Sequence, residues 1–237
     1  MKKKLLTAAI LLVSAALLVA ASILGTLSFL ASSAAVSNTF TVGNVKLEMF
    51  ESRVNADGQD DDGADRTSDG NSYKLIPNKT YCKDPALIVK ADSVPSYLFV
   101  KVKNGIQTIE EAGKTMKEQM VAHGWQLVKA NDTTHEELYL YVGANATATI
   151  PTDAKALNFT EVGDAVEDQT YPIFDTFTIA EDAIVADYAG AKVTLTGFAI
   201  QVEGFENNDS EALSGYQRAW NAIVHRFPYE SGTEFAS

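Results

Sequence analysis

Apolar and polar positions alternate in short runs through most of this chain, and each run ends at glycine, proline or a polar cluster. Side chains of a half-buried strand repeat every two residues, so this pattern predicts strands separated by turns. Across residues 37–49, Phe40 and Val42 alternate with polar neighbours, Gly43 and Asn44 interrupt, and Val45, Leu47 and Met49 resume the period. Two short strands around a bend or bulge are expected there. Further extended runs are predicted at 80–84, 86–89, 96–103, 125–128, 137–142, 147–150, 171–179 and 192–203. In 96–103, Leu98, Val100 and Val102 make one face wholly apolar, the expected core face, while Tyr97, Phe99 and Lys101 point the other way. Residues 192–203 are apolar on both faces (Leu195 and Ala199 against Phe198, Ile200 and Val202), which suits a central strand.

Helical signals are fewer. Thr108 is placed to cap a helix over 109–123, with Glu110 and Glu111 in its first turn, Met116 and Met120 on one face and Gly124 beyond its end. A short helix is predicted within 180–188, and Ser210 precedes a stretch in which Leu213, Tyr216, Trp220 and Val224 recur at helical spacing. Residues 51–72, rich in Asp and Gly, read as a mobile acidic loop; 151–170 read as an insertion or loop, and 229–237 as a disordered tail. Strands spaced by turns, with few helices, predict an all-β (mainly β) fold: an antiparallel β-sandwich with one or two accessory helices. At 237 residues and 46% apolar content, one such domain over 41–228 accounts for the chain.

Charge and the N-terminus narrow the setting. Lys2, Lys3 and Lys4 precede an uncharged apolar run over 5–31, the pattern of a secretory signal peptide over 1–28, with cleavage between 28 and 35, or of a retained N-terminal anchor. The net charge of -12 becomes -15 without those three lysines, which excludes nucleic acid as a partner and limits membrane contact to the leader. Residues 29–40 are small, apolar and uncharged, and once freed they are suited to adding to a sheet edge. Phe29, Leu30, Val36 and Phe40 are the candidate self-association residues.

Candidate chemistry is sparse. Cys82 is the sole cysteine, so it has no intrachain disulfide partner and reads as a small apolar residue in or near a strand. Asp65, Thr67, Asp69 and Gly70 fall at the first, third, fifth and sixth places of an EF-hand-like loop, but Ile76 stands where a bidentate Glu is required. Asp65 and Asp69 are therefore weak calcium candidates, and a solvated loop is the expectation. His123, His135 and His225 are the weak zinc candidates; each is isolated in sequence, and His135-Glu136 is not followed by the second His of HExxH. The carboxylate pairs Glu110/Glu111 and Glu136/Glu137 read as solvated. No nucleophile elbow, phosphate loop or dinucleotide fingerprint occurs, so no catalytic residue and no cofactor are expected.

Five blocks in order, GTLSF ending the leader, NTFTVGNVKLEM, LIPNKTYCKDPALIV, SYLFVKV and VTLTGFAIQVEGF, resemble the secreted TasA/camelysin family of Gram-positive bacteria. They cover about a third of the chain, mostly 24–103 and 192–205. The resemblance implies a jelly-roll-like sandwich, a SipW-type signal peptidase as processing partner, and self-association into biofilm-matrix fibres, with other matrix proteins as further partners. Fibre formation in the family uses the freed N-terminal segment to complete a neighbour's sheet, which here points to 29–40. The same family implies a rival, a camelysin-like cell-surface metallopeptidase; convergence of the three histidines would favour it. A membrane-anchored adhesin that never polymerises is the third reading.

Overall fold

The computed structural model describes residues 45–224 and 233–236, and the backbone of 31–35, 38–40, 225 and 226. It is mainly β, a sandwich-like stack of antiparallel sheets with two α-helices among the described residues. The larger sheet has six strands in the order β2 (Asn38–Phe40), β1 (Ala31–Ala35), β11 (Val193–Gln201), β6 (Ser96–Asn104), β8 (Glu136–Tyr141) and β7 (Trp125–Asn131). A three-stranded sheet orders β3 (Leu47–Phe50), β5 (Ala86–Val89) and β9 (Gln169–Pro172), and β10 (Thr176–Thr178) pairs with β4 (Thr80–Cys82). The helices are α1 (Met116–Ala122) and α2 (Gly215–Arg226). Among the described residues no helix is long and apolar enough to cross a membrane. The leader, residues 1–30, lies outside them.

The alternation predicted for 96–103 holds, but both faces of β6 are buried. Leu98, Val100 and Val102 meet Leu47, Leu87 and Val89 of the smaller sheet, while Tyr97 and Phe99 lie under α2. Trp220 of α2 contacts Phe99 and Phe198, with ring centroids 5.3 and 4.9 Å apart. Each such burial is worth about 1.5–3 kcal/mol, so α2 forms a third layer. Period two says which residues share a face; it does not say that a helix more than a hundred residues downstream will cover the second one.

Several local expectations are corrected. The first helix begins at Met116, not at 109: Thr115 accepts the Glu118 N–H and Glu118 reaches back to the Thr115 N–H, a capping box that Thr108 lacks. Thr108 bonds Tyr188 instead, and 107–109 is a single 3-10 turn. Gly124 ends the helix at φ +92°, where a Cβ would stand 2.8 Å from the Gly143 carbonyl oxygen. Residues 147–150 form no strand, and only Val185–Tyr188 of the predicted 180–188 helix takes helical form, as 3-10. The second helix starts at Gly215, five residues after Ser210.

The acidic loop is tied down. Glu51 and Thr67 exchange backbone hydrogen bonds, Arg66 pairs with Asp84, and the Lys83 ammonium lies 2.5 Å from the Glu51 carboxylate, both buried. Buried charges that lose their partner cost several kcal/mol, so this pair pins the loop to the strand region at 80–84. The tail is also partly ordered, since 233–236 dock on the body.

Candidate self-association edge

A nine-residue strand such as β11 exposes two rows of backbone donors and acceptors, and its stability depends on both being paired. On one side β6 pairs with all nine residues, Val193 opposite Asn104 through Gln201 opposite Ser96. On the other, β1 runs antiparallel with Ala31 opposite Ile200 and Ala35 opposite Thr196. β2 then returns along β1, with Ala35 opposite Asn38 and Phe40 opposite Ser33. The segment expected to complete a neighbour's sheet thus fills an edge of its own. Of the candidate residues, Phe40 is placed in β2 by its backbone; Phe29, Leu30 and Val36 lie outside the described residues.

β1 is Ala-Ser-Ser-Ala-Ala. Side chains of this size carry little apolar surface, and each main-chain bond is a net gain of about 0.5–1.5 kcal/mol. Ordering the backbone costs about 1–2 kcal/mol per residue. Gain and cost are of the same size.

The opposite margin of the sheet is closed. The β7 residue Leu127 donates its N–H to the Thr147 carbonyl at 3.3 Å, and the Gln126 side chain donates to the Thr147 and Thr149 carbonyls at 3.1 and 2.7 Å. A register shift between Leu127 and Lys129 breaks the ladder there. A side-chain cover and a bulge are both ways of refusing a further strand. Among the described strands of this sheet, β2 forms the other margin.

The metal candidates do not gather. His123 bonds Asp175 at 3.0 Å, and the β7–β8 pairing puts His123 and His135 at opposite ends of the hairpin. The side chain of His225 is outside the described residues. Asp69 uses its N–H on the Thr67 hydroxyl and Asp65 is exposed. Among the described residues no three His, Cys, Asp or Glu side chains converge to hold a metal ion. Burial and the carboxylates Asp84, Asp60 and Glu51 raise the Cys82 thiol above its usual range, which disfavours a reactive thiolate.

Sequence reasoning missed one polar cluster. Glu110 and Glu137, read as solvated, border a cavity of about 170 Å³ beneath α1. The Glu110 carboxylate accepts from the Met116 N–H and the Asn104 side chain, each at 2.8 Å. Glu137 accepts from Lys117 at 2.6 Å and from the Tyr139 hydroxyl. Burial, reinforced by Glu137 and opposed by the two hydrogen bonds, pushes Glu110 up to about 7. The signal was available for Glu137, which alternates in phase with Tyr139 and falls opposite the core residue Val102. Nothing local marks Glu110.

No family model, curated protein or solved structure matches the chain. The TasA/camelysin likeness accordingly rests on the sequence blocks alone.

Proposed function

We propose that this chain is a secreted structural protein of an extracellular or biofilm matrix, of the TasA/camelysin kind, whose copies join by exchanging the N-terminal segment around residues 29–40. The observation that carries this reading is the pairing of β1 with β11. Main-chain bonds made in cis are the same bonds a second copy's segment makes in trans, so exchange costs little once copies are close. The small side chains of β1 favour release, and the closed β7 margin restricts strand addition to one side of the sheet.

The test locks the strand. Thr196 lies directly opposite Ala35 in the antiparallel register, where facing Cα atoms stand roughly 4.5–5.5 Å apart, within disulfide range. The variant Ala35→Cys/Thr196→Cys, with Cys82→Ser to remove the free thiol, is expected to form no fibres by electron microscopy when oxidised and to regain them on reduction. Fibres of equal abundance in both states, or none from the unaltered mature protein, would sink the proposal.

A further inference from the structure

Residues 233–236 lie against α2 and β7, and their contacts read the peptide main chain. The Asn221 side chain donates to the Phe235 carbonyl at 2.9 Å and accepts the Phe235 N–H at 2.8 Å. One amide thereby satisfies both backbone groups of a residue, as a neighbouring strand would. The Trp220 indole N–H donates to the Thr233 carbonyl at 3.1 Å. Lys129 donates to the Glu234 carbonyl and sits 5.4 Å from the centre of the Phe235 ring. Tyr216 meets the same ring edge-on at 5.8 Å.

Each of three consecutive residues is therefore held by a different side chain of the body. None of these contacts depends on the covalent link to α2: six residues separate Arg226 from Thr233, a tether of at most about 25 Å. Such a tether supplies an effective concentration in the millimolar range, a level that crowded copies also reach.

We propose that the surface formed by α2 and β7 is a docking site for a Thr-Glu-Phe segment, filled by the chain's own residues 233–235, and that the same segment of a second copy takes that place when copies are crowded. The occupant is a second copy because the one peptide the site is seen to fit is this chain's own. β7 lies at the opposite margin of the six-stranded sheet from β1 and β2, so tail exchange and N-terminal strand exchange use separate surfaces. The inference stands whether or not the N-terminal segment exchanges.

Two measurements test it. A fluorescein-labelled peptide of residues 227–237 is titrated by anisotropy against the full-length Phe235→Ala protein, whose own tail is weakened while its site is intact. Binding about tenfold tighter than to the unaltered protein is expected, because the intact tail competes in cis. Adding Asn221→Ala to the protein, or Phe235→Ala to the peptide, removes it; the altered peptide leaves protein folding untouched. Saturable binding absent up to about 1 mM, or insensitive to both changes, overturns the site. In the second, Asn221→Ala protein (tail without site) is mixed with Phe235→Ala protein (site without tail). Both carry the oxidised Ala35→Cys/Thr196→Cys lock and Cys82→Ser, so that strand exchange does not contribute. Sedimentation velocity is expected to show a complex in the mixture and monomers in each sample alone; a mixture no more associated than its components overturns the exchange between copies.

Discussion

Glu110 sits where water is scarce, between the Asn104 amide and the first N–H of α1. Burial raises its carboxyl from 4.5 to about 7, so between those values the folded chain keeps a proton that the unfolded chain has released. The resulting stabilisation is complete below about pH 4.5 and is lost as pH climbs through about 7. A shift of that size corresponds to about 3 kcal/mol. Urea denaturation at about pH 5 and pH 8 is expected to show the unaltered protein losing stability over that interval. Glu110→Gln, which stays neutral, is expected to remove most of the loss. An equal loss in the variant would place the titration elsewhere. The sequence presented Glu110 as one half of an exposed acidic pair; its burial follows from the chain meeting Ile179 across a backbone bridge, 69 residues away in sequence.

Among the elements, β5 matches the expected 86–89 at both ends, and β11 follows its pattern closely: the expected 192–203 became Val193–Gln201, central and covered on both faces. Gly197 shares a face with Leu195 and Ala199, and there the two sheets approach closely. A Cβ at that position would stand 2.3 Å from one methyl of the buried Leu87. Gly197→Ala is therefore expected to cost about 1–3 kcal/mol in chemical denaturation, because a packed core yields only by moving side chains off their rotamers. Leu87→Ala alone costs about 2–5 kcal/mol, and the double variant should lose clearly less than the two combined. Full additivity would contradict this packing. The helix α1 shows the opposite case. Thr108 and Thr115 both precede acidic residues, and a cap reading from composition alone took the first; the capping box with Glu118 marks the second.

For the whole molecule, charge sets how readily copies meet. A protein carrying -12, or -15 once Lys2, Lys3 and Lys4 are removed with the leader, repels its own copies, and that repulsion reaches about 30 Å at 0.01 M salt and about 8 Å at 0.15 M. If assembly brings the acidic bodies together, its rate by light scattering should rise as sodium chloride goes from about 10 to 150 mM. A rate that falls or stays flat over that range would argue against association between these bodies. The candidate edge was partly visible beforehand: 29–40 stood out as small, apolar and uncharged, apt to join a sheet. Which sheet it joins was not visible, since main-chain pairing carries almost no signature in side chains such as those of Ala-Ser-Ser-Ala-Ala.

Strand positions, the mainly β class and the apolar face of 96–103 follow from neighbours a few residues apart, because a two-residue period is a local property of the backbone. Three other features depend on residues far apart in the chain: the cover that α2 lays over Tyr97 and Phe99, the pairing of 31–35 with 196–200, and the docking of 233–236 beside Lys129. Each joins segments separated by roughly a hundred residues or more, or matches a main chain whose side chains carry no complementary pattern. Such contacts are selected by how the whole core closes, and so they emerge only from the folded chain.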